Sequence, residues 1–392
     1  MSVVSGGIAG LGCVQAIIGA GLLSSFGRRA ALPDRSGSAG GSFLPPVTVL
    51  KPLYGDEPLL EDALASFCMQ VYPTLQIVFG VQSRSDPAIA VVKRLQARFP
   101  DLDLMLVVDS TPHGDNHKID NLINMLPHAL HDVLVISDSD IHAQPGYLRR
   151  VVQALHRPGV GLVTTLYGGR AASPSMSRRL AAGQLNYNFL PGVLMSRLLG
   201  RQDCLGATMA LSRRMLDSIG GLPALSPHIA DDSALGQMVR AEGGSIAIAD
   251  VMTVTTTAET GVRDLFLHEL RWARTVRSVE PLGYALSAIQ FPLFWGALTV
   301  LLAEGAHWSW AVLALAWLVR GVCGALIDRM LGLPRTLPVL LLPLRDWLSA
   351  AVMAASFTGR RVAWRGQTMQ LPDRVSLAQT RRELAPGVDA GA

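Results

Sequence analysis

The stretch Val133-Leu134-Val135-Ile136-Ser137-Asp138-Ser139-Asp140 is a short apolar, β-branched run that ends in two carboxylates. Such a run reads as a buried strand of an α/β sheet. Ligands of these sheets bind beyond the carboxyl ends of the strands. Side chains at i and i+2 of an extended chain point to one side. Asp138 and Asp140 can therefore face one divalent cation, Mg2+ or Mn2+, and the cation a diphosphate. The alternative is a solvated acidic turn; the apolar strand ahead of it favours the metal.

Outward from this strand the pattern alternates. Strands are expected at residues 47–50, 75–81 and 104–108, and helices at 59–70, 88–99 and 118–130. Alternation of this kind predicts a mostly parallel, nucleotide-binding sheet flanked by helices, in a globular region spanning 47–279. Residues 30–46 are rich in Gly, Ser and Pro and read as a linker. No internal repeat is evident.

The 392 residues are 49% hydrophobic and only 16% charged, with a mean hydropathy of +0.33. That is too apolar for an ordinary soluble enzyme and predicts membrane segments. The net charge is only +4. The basic residues gather beside apolar segments, which excludes nucleic acid as the natural partner and points to membrane flanks. Cys13, Cys68, Cys204 and Cys323 form no CxxC pair, so neither a zinc site nor a disulfide framework is expected.

Residues 3–26 carry no charge and precede Arg28-Arg29, which reads as a spanning helix (residues 1–29) with its C-terminal end in the cytoplasm. A cleaved signal peptide is the rival, but no basic n-region precedes the run. Gly6, Gly10, Gly12, Gly19 and Gly21 are expected to form a small-residue packing face. A membrane region is expected over 280–357, with spans at 282–303 and 308–327; Trp308 and Trp310 act as interfacial anchors and Arg320 is the one charge of the second span. Residues 336–357 are apolar but interrupted by Pro343 and Arg345-Asp346, with basic residues on both flanks. If both flanks are cytoplasmic, about 22 residues cannot cross a bilayer twice at 1.5 Å per residue, which favours a re-entrant or interfacial hairpin over a simple span. The alternative is an additional crossing that sends the tail outside. Residues 358–392 read as a cytosolic tail.

Other residues carry two readings each. Asp86, before Pro87, is a helix cap or a carboxylate that bonds a nucleobase. Asp231-Asp232 is a capping feature or holds a base that takes a proton from an acceptor hydroxyl. Lys118 opens a helix against the macrodipole, which an anion nearby would explain; a solvated lysine is the alternative. Gly206 lets the backbone approach a sugar or marks a strand bulge. Arg271 and Trp272, in His268-Glu269-Leu270-Arg271-Trp272, are membrane-flanking residues or a diphosphate-neutralising and packing pair.

Taken in order, Lys51-Pro52-Leu53, the Asp86 segment, residues 118–122, Asp138-Ser139-Asp140, Ala230-Asp231-Asp232 and Arg271-Trp272 resemble the ceramide glucosyltransferase family, glycosyltransferase family 21. The resemblance covers roughly residues 47–274. It implies a GT-A fold with a cytosolic catalytic domain, and three aspartate motifs with a [Q/R]xxRW motif that bind a UDP-sugar and activate a lipid hydroxyl. By that resemblance Asp86 contacts the nucleotide, and Asp138, with help from Asp140, serves the metal. Asp232 is the base, and Arg271 and Trp272 match the last motif. Lys118, Asp231, Gly206 and His268 are placed with substrate binding. His268 departs from the family's Gln or Arg and carries no constant charge at pH 7. Residues 206–214 and 230–236 are most similar to a bacterial branch that adds N-acetylglucosamine to bacteriohopanetetrol, a hopanoid. The implied enzyme is an inverting UDP-sugar:lipid transferase on the cytoplasmic face of a bacterial inner membrane. Ceramide glucosylation is the alternative. A processive polysaccharide synthase would need more spans, and a non-catalytic lipid-binding scaffold would not need the full set of acids.

Overall fold

The computed structural model describes residues 1–31 and 44–359, with the backbone of 361–364 and 367–370. Most of the expected linker and tail, and the flanking Arg360, Arg361 and Arg365, lie outside the residues described in full.

After helix α1 (Ser2–Ala31) the chain enters a sheet. It runs through β1 (Val47–Pro52), α2 (Leu60–Cys68), β2 (Leu75–Val81), α3 (Ala88–Arg98), β3 (Asp103–Val108), α4 (His117–Met125) and β4 (Val133–Ser137). These four strands are parallel in the order β3-β2-β1-β4. β1, β2 and β4 are buried along their whole length, while β3 is largely exposed or half-buried, as an edge strand must be. Successive side chains of β4 serve two cores. Val133 and Val135 join Val49, Ile77 and Phe79 on one face. Leu134 and Ile136 join Leu50, Ile119 and Leu122 on the other. Burial on both faces is why the strand is continuously apolar rather than alternating.

The second half is mixed. β5 (Ile141–His142), α5 (Tyr147–Leu155), β6 (Val160–Ala171), α6 (Met176–Gln184), α7 (Leu190–Leu198), β7 (Thr208–Ser212), α8 (Arg213–Ser218), α9 (Asp231–Ala241) and β8 (Ser245–Thr257) follow. They extend the order to β4-β7-β6-β8-β5, with β7 antiparallel to both neighbours and β8 parallel to β6. The expected mostly parallel sheet is thus realised in its first half and turns mixed beyond β4. A π-helical turn, Leu185–Phe189, separates α6 from α7.

Helix α10 (Val262–Val279) leads out of the sheet to α11 (Pro281–Leu286), α12 (Pro292–Leu302), α13 (His307–Leu331) and α14 (Leu342–Ser356). Among the described residues, three helical runs are long and apolar enough to cross a membrane: Ser2–Ala31, His307–Leu331 and Val339–Ser356. The expected span at 282–303 is broken. Pro281–Gln290 and Pro292–Leu302 meet at 69°. Pro292 has no N–H to continue a helix from the turn before it and opens a new one instead. The expected hairpin at 336–357 is also corrected: the stretch folds as one 18-residue helical run without reversal. Its internal charges are absorbed by partners on neighbouring helices, as described below, so no reversal is needed to bring them to water.

The glycines of α1 divide. A Cβ on Gly12 would lie 2.3 Å from the Ile289 carbonyl oxygen, and one on Gly19 would lie 2.5 Å from Pro191 Cβ. Gly10 and Gly21 face open space, so the packing face is narrower than the glycine pattern predicted. Gly19→Leu should therefore destabilise the detergent-solubilised protein by about 1–3 kcal/mol through overpacking. Gly21→Leu should leave the unfolding midpoint unchanged, and thermal unfolding of the two variants side by side checks both.

Candidate active site

Beyond β4 the Asp138-Ser139-Asp140 turn is held from three directions. Lys51, fully buried in β1, donates to Ser137 Oγ at 3.3 Å and to the Asp138 carbonyl oxygen. Its ammonium lies 3.9 Å from the centre of the Phe67 ring. Burial pulls the Lys51 pKa down to about 7, against the carboxylates of Asp140, Asp138 and Glu57. Ser139 Oγ donates to Glu57 Oε2 at 2.5 Å. Thr255 Oγ1, from β8, donates to Asp140 Oδ2 at 2.5 Å.

The N-terminus of α4 faces this turn. Asn116 caps the helix by accepting from the Lys118 and Ile119 amides. Lys118 Nζ lies 2.8 Å from Asp138 Oδ1 and 3.3 Å from Asp231 Oδ2. Burial alone would lower the Lys118 pKa, but Asp138, Asp231 and Asp232 outweigh it and raise it, so the ammonium stays charged. The anion that makes sense of a lysine at this helix start is the pair of carboxylates.

Asp231 and Asp232 occupy the first turn of α9, where the macrodipole favours negative charge. The helix takes no side-chain cap from Ala230. Asp232 Oδ1 accepts from the Ser233 amide at 2.7 Å. Its pKa is pushed up to about 6, first by burial and then by Asp231, with Lys118 opposing. Gly206, just ahead of β7, lies against it: a Cβ there would stand 3.1 Å from Asp232 Oδ2. Tyr167 of β6 packs at a tilt of 42° against Phe189 of the π-helical turn, with ring centres 4.8 Å apart. Burial, then Asp232, Asp138 and Asp140, raise its pKa, so the phenol stays neutral.

Asp86 does both local jobs that its position allows. Its Oδ1 accepts from the Ala88 amide at 2.9 Å, and both oxygens receive the Gly55 amide at 3.0–3.1 Å. It therefore starts α3 and anchors the loop after β1. On α10, His268 Nδ1 lies 2.7 Å from Glu259 Oε1, and its ring meets Trp272 edge-on at 4.9 Å. Arg271 is half-buried and Trp272 is 37% exposed. The structure thus gathers Asp138, Lys118, Asp231, Asp232 and Gly206 at one sheet edge. Asp140 joins them through its turn.

Residues 11–376 match the model of the family described as Glycosyl transferase family 21. The chain belongs to glycosyl transferase family 21. Relatives of this family 21 chain include ceramide glucosyltransferase 1 of Caenorhabditis elegans, 24% identical over 245 residues, which are 61% of this chain and 51% of that protein. The ceramide glucosyltransferase of Gibberella zeae is 32% identical over 172 residues, 40% of this chain and 32% of that one. The chain spans about half the length, or less, of the curated relatives named here. Among solved structures, a Pyrobaculum calidifontis mannosyltransferase in complex with GDP-Man and Mn2+ aligns with 90% of this chain and 98% of its own, at 20% identity and TM-score 0.48. The family and the mixed, helix-flanked sheet together make this a GT-A fold with apolar helices at both ends.

For a family 21 chain the donor set at the DxD turn fits a divalent cation. Asp140 is pushed up to about 7, first by burial and then by repulsion from Asp138, with Glu57 adding to it. Acids that repel one another in this way are hard donors that a cation stabilises. Among the described residues no three His, Cys, Asp or Glu side chains form a closed cage. The fit is to an open site, where Mg2+ or Mn2+ takes one or two carboxylates and fills its shell with water and phosphate oxygens.

Four residues escaped the sequence reading: Glu57, Thr255 and Tyr167, and the role of Lys51. Only Lys51 left a signal, as a charge within an otherwise apolar strand. Gly206→Val should push the Asp232 carboxylate aside. A displacement near 1 Å predicts turnover lower on the order of 10–100-fold. UDP affinity should be retained, since the substitution touches the acid and not the nucleotide side; steady-state rates with UDP titration calorimetry check this.

Proposed function

We propose that this family 21 protein transfers a sugar from a UDP-sugar to a hydroxyl of a membrane lipid, with inversion at the anomeric carbon. The observation that carries the reading is Asp232. It is a half-buried carboxylate raised to about 6, adjoining the Lys118–Asp138 pair, in a chain with apolar helices at both ends.

Asp232 takes the proton of the acceptor hydroxyl as its oxygen attacks the anomeric carbon. The bond from that carbon to the diphosphate oxygen breaks in the same displacement, and UDP leaves with the bonding pair. Arg271 offsets the charge gathering on the leaving diphosphate, and Trp272 packs against donor or acceptor. Lys118 holds Asp138 and Asp231 in place, and Asp138 and Asp140 would hold the divalent cation. When bound, the cation neutralises charge on the diphosphate. Asp86 serves the nucleotide side, Gly206 leaves room beside the base, and His268 orients Trp272. The acceptor is too apolar to leave the bilayer, so the C-terminal helices present it at the cytoplasmic face of a bacterial inner membrane.

Two acceptor and donor pairs are proposed. The 206–214 and 230–236 segments favour N-acetylglucosamine transferred to bacteriohopanetetrol. The names of the relatives favour glucose transferred to ceramide, and this second reading fits no worse. Purified protein with Mg2+ or Mn2+, offered each UDP-sugar with each lipid, should yield one singly glycosylated product by mass spectrometry. Polymer, or no product while UDP-sugar still binds, overturns the reading.

Asp232→Asn should abolish transfer and leave UDP-sugar binding largely intact. The base works only when deprotonated. At saturating metal the rate should therefore fall about tenfold per pH unit below pH 6. A pH–rate profile with no acid limb near that value rules out Asp232 as the base.

A further inference from the structure

Arg345 and Asp346 interrupt the apolar α14, and both are fully buried. Asp346 pairs with Arg320 of α13 at 2.8 Å. Arg345 reaches the other way, to the helix that carries Arg271 and Trp272. Its Nη1 and Nη2 donate to Glu269 Oε1 and Oε2 at 2.7 and 2.6 Å, a two-pronged contact. Nη1 also donates to the Leu180 carbonyl oxygen of α6 at 3.0 Å, and Nε to Ser349 Oγ at 3.2 Å.

The position of Glu269 on α10 gives this contact its meaning. At 100° per residue, Glu269, Leu270 and Ala273 share one face, and all three are buried. Leu270 and Ala273 pack with Val352 of α14. Arg271 falls on the opposite face, with His268 beside it and Trp272 on the flank next to Glu269. The apolar contact fixes the distance between α10 and α14 but tolerates rotation, because Leu and Ala surfaces are non-directional. A planar guanidinium gripping both carboxylate oxygens is directional. A rotation of 20° moves a side chain at the 5–6 Å helix radius by roughly 2 Å.

We propose that Arg345 is a positioning residue: through Glu269 it sets the rotation of α10 and so the aim of Arg271 and Trp272 at the leaving diphosphate. The proposal rests on the transferase reading given above. Net stabilisation is a poor rationale for the pair, because a buried ion pair contributes little that well-packed apolar residues would not. Orientation is what an apolar replacement could not supply.

The test compares Arg345→Met, Arg345→Lys and the double variant Glu269→Gln/Arg345→Met with a control, Arg320→Met/Asp346→Asn, which removes the other buried pair. Arg345→Lys keeps the charge and loses the fork. A misaimed α10 predicts kcat lower by about 100-fold in Arg345→Met, Arg345→Lys and the double variant. The KM for the donor should stay near that of the parent. Hydrogen exchange measured by mass spectrometry should show lost protection in α10 peptides in these three. The control should keep kcat per folded molecule and the protection of α10, whatever its melting temperature. Parent-like turnover in Arg345→Lys, or a loss of turnover that follows melting temperature across all variants, overturns the proposal. If Arg345→Met does not fold, the double variant, which leaves no unpaired buried charge, takes its place. Should the parent protein transfer sugar to no lipid, the function reading fails by itself. The exchange data then decide the positioning role: unchanged α10 protection in Arg345→Lys rejects it.

Discussion

The site depends on one ammonium shared by two carboxylates. Lys118 lies within 3.3 Å of acids from two distant parts of the chain: Asp138 at the end of β4 and Asp231 at the start of α9. Without it, Asp138, Asp231 and Asp232 would crowd one sheet edge and lose the ammonium that spans them. Removing the ammonium would leave the acids buried around it, Asp231 above all, without their charge partner. The lysine also leaves the acids unequal. Asp138 is paired with it and remains 38% exposed, whereas Asp232 is left with a raised affinity for protons. Two carboxylates in different environments support two different tasks.

The parallel half of the sheet was legible because its signals are local. Each of β1, β2 and β4 is an apolar run followed by a polar turn, and each helix between them has its own periodicity. The mixed half was not. β7 sits between β4 and β6, and β8 between β6 and β5, through pairings that no short window encodes. The candidate site divides in the same way. Asp138, Asp140 and Asp231-Asp232 stand out as acids after a strand or before a helix. Glu57 and Thr255 look ordinary in sequence and matter only because the fold brings them to Ser139 and Asp140.

Charge within the apolar C-terminal region misled for a physical reason. Basic residues on both flanks of 336–357, if on one side of a membrane, favour a hairpin in a stretch too short to cross twice, and Arg345-Asp346 interrupt its apolar run. A helix can run straight through if those two charges find partners. Glu269 and Arg320 supply partners from other helices, and α14 runs through without reversal. The glycines of α1 misled in the opposite sense. Five small residues suggested a broad face, yet only those aimed at Ile289, Pro191 or Thr299 lie against a neighbour.

The docking of α1 bears on how the molecule is made. Ser5 Oγ accepts from Thr299 Oγ1 at 2.9 Å, and Ser24 Oγ lies 3.1 Å from Met330 Sδ, so the first helix completes its surroundings with some of the last. At 5–20 residues per second, a ribosome needs on the order of tens of seconds to reach those partners. Throughout that interval Gly6 and Gly12 of α1 stay uncovered, while the sheet is synthesised and folds. The membrane half is therefore assembled last, and a chain that stops short of Ile289 would leave the Gly6 and Gly12 side of its first helix available to any other small-residue surface.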